Sequence, residues 1–172
     1  MHYNNQRGSV LIYSLLLLAF TAIIGFTMHN LAYMEIKMSL YEHRANQARE
    51  LSEAAVLLTM EELFVILNND YHDVQELPAS IALQNYWTYI LDEDKILQTG
   101  VITLVEQNED SCTYRFATNG IFQGAKKSLN VQVVFNFIEN YNMIPDIDGN
   151  LQEVFSYREF LDRGMIISFE EE

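Results

Sequence analysis

Cysteine, proline and glycine are scarce in the first third of this chain of 172 residues. Cys112 is the only cysteine in the whole sequence, so no disulfide can form within the chain. Neither of the two prolines lies before Leu67, and Gly25 is the only glycine between Ser9 and Leu67. Because proline and glycine are the residues that most often interrupt helices, this part of the chain can form one long helix.

Basic residues are also few. Ten Lys and Arg stand against 24 Asp and Glu, which gives a formal net charge of −14. A surface of this charge repels the phosphate backbone of nucleic acids, so we expect no direct contact with nucleic acid. The same charge favours solubility of the parts of the chain that lie in water.

Sequence patterns that are typical of enzymes are missing as well. The chain has no Gly-rich phosphate loop and no G-x-S-x-G nucleophile elbow. Its four histidines, at positions 2, 29, 43 and 72, lack metal-ligand spacing. A Cys112 nucleophile activated by His72 would require a fold that brings the two together, and the sequence gives no sign of one. We therefore expect a protein that is not an enzyme and that binds no cofactor.

A long apolar segment lies at residues 9–29 and reads SVLIYSLLLLAFTAIIGFTMH. Between Val10 and Met28 it carries no charged side chain, and a helix of this length rises roughly 28 Å, close to the thickness of a bilayer's hydrocarbon core. A secretory signal peptide would have a shorter apolar region closed by a small-x-small cleavage site, which this segment lacks. The pattern predicts a transmembrane helix at residues 9–29.

Two runs of residues carry a family resemblance. QRGSVLIYSLLLLAF, at the start of the apolar segment, resembles the N-terminus of type IV prepilins and pseudopilins, in particular the PilX/PilV-type minor pilins. The later run QARELSEAA, at residues 47–55, is similar to the A-x-x-L-A-E-A-G run that follows the membrane segment in that group. The resemblance covers the first third of the chain.

The resemblance implies a maturation route and an assembly role. Residues 1–8 would be a leader that prepilin peptidase removes after Gly8, leaving Ser9 as a methylated N-terminus. The family's major subunits carry a glutamate five places after the cut, where this chain has Tyr13. Because a buried carboxylate needs a partner, a subunit with Tyr13 requires no neighbour above it. The resemblance therefore implies a minor subunit at the tip of the filament or in assembly initiation.

Two functions remain open from the sequence. The resemblance implies a structural subunit of a type IV pilus, a competence pilus or a type II secretion pseudopilus. Its partners would be other pilin or pseudopilin subunits, prepilin peptidase and membrane lipid. The alternative is an uncleaved, single-pass membrane anchor that carries an extracellular binding domain.

The expected location is the inner or cytoplasmic membrane, with the N-terminus cytoplasmic. Flanking charges do not decide this orientation, because Arg7 precedes the segment while Lys37 and Arg44 follow it among acidic residues. It rests on the short leader, which is easier to retain than the whole downstream domain, and on the resemblance. After assembly the subunit would lie in a cell-surface or periplasm-spanning filament.

Residues 30–68 predict an amphipathic continuation of the same helix, ended by the cluster Asn68-Asn69-Asp70. Small residues in this part allow close approach of a sheet or another helix: Ala45, Ala48, Ala54 and Ala55. The predicted buried stripe at helical spacing is Ala48, Leu51, Ala55, Leu58 and Val65.

We expect residues 69–172 to form an extracytoplasmic domain. A long helix followed by strands predicts the α+β class, with the helix packed on an antiparallel sheet. The resemblance to pilins implies the same architecture. We predict a short helix from Ser80 to Leu91 with Trp87 as a core anchor, and a tight turn at Asn119-Gly120. Gly124 to Lys127 predicts a second loop. The predicted strands, which are β-branched or alternate apolar and polar residues, are 101–105, 112–117, 129–137 and 165–169.

A possible calcium loop lies in the acidic tail, where Asp146, Asp148 and Asn150 place oxygen ligands at alternate positions. The segment lacks the full D-x-[DN]-x-[DN]-G order and the acidic residue at the twelfth place. Asp-Gly is also a favoured turn dipeptide, so a plain turn is the preferred interpretation and no metal site is expected.

Overall fold

A computed structural model of the chain describes residues 5–83, 88–147 and 150–171, with the side chains of residues 5–8 excepted. Within these residues one helix is followed by strands only, so the fold is α+β. The elements are α1 (Asn5–Asp70), β1 (Ser80–Ile81), β2 (Thr88–Asp92), β3 (Lys95–Thr99), β4 (Ile102–Gln107), β5 (Ser111–Phe122), β6 (Ala125–Pro145), β7 (Leu151–Phe160) and β8 (Met165–Glu171).

The helix α1 is continuous over 66 residues. Its backbone remains regular because no proline interrupts it, and it ends at the predicted Asn68-Asn69-Asp70 cluster, after which Tyr71 N still donates to Leu67 O. By its internal contacts the chain forms two units, of which the first ends at His43 and the second comprises Arg44–Glu172. The sheet and the hydrophobic core belong to the second unit.

Strand β5 is the centre of the sheet, in which every pairing is antiparallel. β3 pairs with the second half of β5 and β4 with its first half, while β6 pairs with β5 from Ser111↔Asn136 to Phe122↔Ala125. β6 is long enough to pair also with β8 over Leu129–Val134 and with β7 over Phe137–Pro145. The predicted packing of a long helix on an antiparallel sheet is confirmed.

The core lies between residues 48–67 of α1 and one face of the sheet. Alternate residues of β6 are buried at Leu129, Val131, Val133, Phe135 and Phe137, as the period of a strand requires. On the helix the buried positions are Ala48, Ser52, Ala55, Val56, Thr59, Leu63 and Leu67. The predicted stripe was therefore wrong in part: Leu58 and Val65 are exposed, because the sheet selects a face that contains Ser52 and Thr59.

The predicted helix from Ser80 to Leu91 is wrong. Ser80–Ile81 is strand β1 and Thr88–Asp92 is strand β2. β2 forms a hairpin with β3, at residues for which the sequence predicted no strand. Cross-strand hydrogen bonds override the local apolar spacing here. Trp87, the predicted core anchor, lies outside the described residues.

The predicted turn at Asn119-Gly120 is also wrong, since both residues lie inside β5 and pair with β3 and β6. The loop expected at Gly124 to Lys127 is shorter than predicted, because β6 begins at Ala125 and the chain reverses at Gln123-Gly124. Both residues have positive φ, as a two-residue hairpin turn requires. The strands predicted at 112–117, 129–137 and 165–169 are confirmed as parts of β5, β6 and β8, and the strand predicted at 101–105 is confirmed as β4, which begins one residue later.

Candidate membrane helix and its attachment to the sheet

The first part of α1 is an exposed apolar helix. Every side chain from Ser9 to His43 is exposed, and the segment contains an apolar window with mean hydropathy 2.3, of which none is buried. Within the described residues, α1 is the one helix long and apolar enough to cross a membrane. It is therefore compatible with a single-pass membrane anchor.

Polar side chains inside this apolar segment are satisfied by the helix itself. Ser14 Oγ donates to Leu11 O at 2.9 Å, and Thr21 Oγ1 donates to Leu17 O and Leu18 O at 3.1 and 2.9 Å. Thr27 Oγ1 bonds in the same way to Ile23 O and Ile24 O. Because a hydroxyl that is bonded to its own helix presents no free donor, these residues can enter lipid at low cost.

The sequence-predicted processing and assembly residues lie at the start of this segment. The backbone of Gly8 and Ser9 is already within α1, and the Tyr13 side chain is 72% exposed. Tyr13 therefore makes no core contact within the described chain, and a phenol at this place can contact lipid or a neighbouring helix.

Charged residues return at Glu35 and Lys37. Lys37 Nζ lies 4.6 Å from the centroid of the Tyr33 ring, where the cation and the aromatic face attract each other.

From Ser9 to Met34 a helix rises about 39 Å, which exceeds the roughly 30 Å of a bilayer core. The exposed apolar surface is therefore longer than lipid alone would cover in an untilted helix.

The second part of α1 meets the sheet at Gly120. A Cβ atom on Gly120 would lie 1.9 Å from Ala48 O and 2.5 Å from Ser52 N, so the β5 backbone contacts the helix backbone directly. The predicted role of Ala48 as a site of close approach is confirmed. The role of Gly120 was missed, because a glycine after asparagine is also a strong turn signal.

Buried hydroxyl groups accompany this close approach. Ser52 Oγ lies 3.0 Å from Thr118 Oγ1 and 3.2 Å from Thr118 O, and Thr118 Oγ1 donates to Ser52 O at 3.1 Å. Further along the helix, Thr59 Oγ1 lies 2.7 Å from Thr99 Oγ1. Each of these groups is buried and bonded, so the helix is fixed in one register on the sheet.

Arg158 on β7 joins three parts of the second unit. Its guanidinium is buried, donates to Val74 O at 3.2 Å and Gln75 O at 2.9 Å, and forms an ion pair with Glu139 on β6. It also lies 4.5 Å from the centroid of the Phe137 ring. The Arg158 side chain, together with a backbone hydrogen bond from Arg158 N to His72 O, therefore attaches the segment that follows α1 to the β6–β7 hairpin. The sequence did not predict this attachment.

Burial and hydrogen bonding shift the pKa of the Glu139 carboxyl in opposite directions. Partial burial raises its pKa, but hydrogen bonds from Tyr141 and Arg158 and the charge of Arg158 outweigh burial, so the pKa lies below its ordinary value. The carboxylate that pairs with Arg158 is therefore ionised at neutral pH.

Cys112 is buried on β5 at 1% exposure. Burial raises the pKa of its thiol to about 12, although the charge of Arg158 acts in the opposite direction and lowers it. The thiol is thus protonated near neutrality, and an inaccessible sulfur does not reach a cysteine of another chain.

Of the possible calcium ligands, Asp146 and Asn150 close the β6–β7 turn. Asn150 N donates to Asp146 Oδ1 at 2.9 Å, and Asp146 N donates to Asn150 O at 2.8 Å. Asp148 lies outside the described residues. One Asp146 oxygen thus accepts a backbone hydrogen bond, which is the geometry of a turn.

Comparison of the chain with protein-family models, with curated proteins and with solved structures found no match.

Proposed function

We propose that this chain is a minor pilin or pseudopilin, a structural subunit of a type IV pilus, competence pilus or type II secretion pseudopilus. Residues 9–29 hold it in the membrane, and residues 1–8 are a leader that prepilin peptidase removes after Gly8. The observation that carries the proposal is the difference in burial between two parts of α1. The side chains from Ser9 to His43 are exposed, while residues 48–67 form one side of a hydrophobic core.

Exposed apolar surface of this extent needs a cover, since each Å² of it left in water costs about 25 cal/mol. Lipid covers a helix that is stored in the membrane, and neighbouring helices cover it in a filament. Apolar side chains remain exposed beyond residue 29, at Leu31, Ile36 and Leu40, among others. A filament in which helices pack side by side covers this region as well, which favours a subunit over a simple anchor.

Tyr13 supports a role at the tip or in initiation. Its phenol offers no carboxylate to a neighbour's terminal amine. A subunit of this kind can lie at the end of a filament without leaving a buried charge unpaired. The uncleaved anchor with an extracellular binding domain remains the competing function, and it uses residues 9–29 in lipid only.

The mass of the mature chain separates the two functions. Loss of residues 1–8 together with one methyl group on Ser9 supports the proposal. An intact or unmodified N-terminus, in cells that contain prepilin peptidase, contradicts it and favours the uncleaved anchor.

A substitution tests the position of the cut. Gly8→Leu is expected to leave an unprocessed precursor in the membrane. Gly25→Leu is the matched control, because nothing lies within 4 Å of a Cβ at this position, and it should mature normally. Normal maturation of Gly8→Leu would show that the cut is elsewhere.

A further inference from the structure

The end of the β6–β7 hairpin extends past the rest of the sheet. Pairing of β5 with β6 ends at Ser111↔Asn136, but pairing of β6 with β7 continues to Pro145↔Leu151. Over residues 138–145 and 151–159, here called the arm, each strand has the other as its only sheet partner among the described residues. A two-stranded ribbon is only marginally stable by itself in water.

The arm exposes apolar side chains on both faces. The register places Met143 and Leu151 on the face that continues from Phe137, and Ile138, Ile144 and Val154 on the opposite face. Met143 is 59% and Leu151 70% exposed. Exposed apolar side chains that are grouped on one ribbon outside a core favour an interaction site.

The charges around this surface have one sign. Asp146, Glu153 and Glu159 are exposed, whereas the only cation of the arm, Arg158, is buried and paired with Glu139. Two arms from two copies would bring these carboxylates together, within chains whose formal charge is already −14. Anionic lipid headgroups are disfavoured for the same reason. The complementary surface is therefore apolar and basic.

We propose that the arm is the docking surface for a different protein, whose contact face combines apolar side chains with Lys or Arg. The apolar residues of the arm supply the apolar contact of the interface, and the carboxylates beside them, such as Glu153 opposite Met143, select a basic partner. This inference goes beyond the proposed function, because it holds whether or not the N-terminus is cleaved.

Photocrosslinking in intact cells tests the proposal with the full chain in its membrane. A photoreactive amino acid replaces Met143 in one variant and Lys126, an exposed residue near the other end of β6, in the control. We expect an adduct with one other protein from position 143 and none from position 126. Glu153→Lys should lower the yield of this adduct about fivefold, as expected for reversal of one exposed charge in the interface. Glu106→Lys, an exposed reversal on β4, should leave it unchanged.

Three results would overturn the proposal. The first is the absence of an adduct from position 143. The second is an adduct between two differently tagged copies of this chain, which would make the arm a self-association surface. The third is an adduct whose yield Glu153→Lys leaves unchanged or raises, which would show that the partner is not basic. Thermal unfolding of each variant checks that the exposed substitutions leave the fold intact.

Discussion

Gly120 on β5 lies against the carbonyl oxygen of Ala48 on α1, so closely that a Cβ at position 120 would be 1.9 Å from that oxygen. A helix backbone and a strand backbone therefore touch without an intervening side chain. The pair Ser52 and Thr118, adjacent to this contact, forms hydrogen bonds that a more distant helix could not make. This contact fixes the second part of α1 on the sheet.

Gly120→Ala should strongly destabilise the protein. The added methyl group meets backbone atoms, which cannot rotate away, so we expect a loss of about 3 kcal/mol in the free energy of unfolding. Gly100→Ala is the control, because a Cβ there would be 3.5 Å from the nearest atom, Ala117 O, an ordinary contact. Denaturant unfolding of the full chain in detergent measures both, and equal stability of the two variants would refute the close contact.

Arg158→Leu should cost about 3 kcal/mol of stability, since it leaves the Glu139 carboxylate and two carbonyl groups without their buried donor. Arg163→Leu removes an exposed arginine that pairs with Glu61 and should cost less than about 1 kcal/mol. Thermal unfolding compares the two. A similar loss of stability in both variants would contradict the buried, hydrogen-bonded position of Arg158.

The contribution of Glu139 should depend on pH. Its folded-state pKa lies below the ordinary value of 4.5, so the unfolded chain binds the proton more tightly than the folded chain does. The stabilisation is therefore present above about pH 4.5 and is lost as the pH falls through the folded-state pKa. We expect the stability difference between wild type and Glu139→Gln to shrink below pH 4.5. A difference that stays constant from pH 7 to pH 3 would be inconsistent with the ion pair.

Cys112 should resist thiol reagents in the folded protein. Its burial and its pKa of about 12 leave almost no accessible thiolate at pH 7.5, so labelling with a chromogenic disulfide should require denaturant. Lys126→Cys in a Cys112→Ala background provides an exposed control thiol that reacts at once. Rapid labelling of Cys112, or a disulfide-linked dimer of the native chain, would disagree with the buried position.

Leu18→Arg should impair membrane association, because an arginine near the centre of a transmembrane helix raises the insertion free energy by about 2.5 to 3.5 kcal/mol. Leu58→Arg places the same residue on an exposed position of α1, outside residues 9–29 and outside the core. Alkaline extraction of membranes should release more of the Leu18→Arg variant than of the wild type, and none of the Leu58→Arg variant. Equal retention of both would argue against residues 9–29 as the membrane segment.

The sequence by itself determined the long helix and the strands at 101–105, 112–117, 129–137 and 165–169. A long apolar run without proline predicts a helix, and β-branched or alternating runs predict strands. These elements depend on local backbone preferences and on periodic burial, both of which are visible in the sequence. The same patterns were sufficient for the α+β class and for a helix that can cross a membrane.

The tertiary structure alone decided which residues of α1 face the sheet, that Gly120 is a contact and not a turn, and that Arg158 is a buried junction. Each of these depends on a partner far away in sequence: Ser52 on Thr118, Gly120 on Ala48, Arg158 on the carbonyl groups of Val74 and Gln75. A buried hydroxyl or arginine is favourable only when such a partner is present, and no local pattern records where that partner will be.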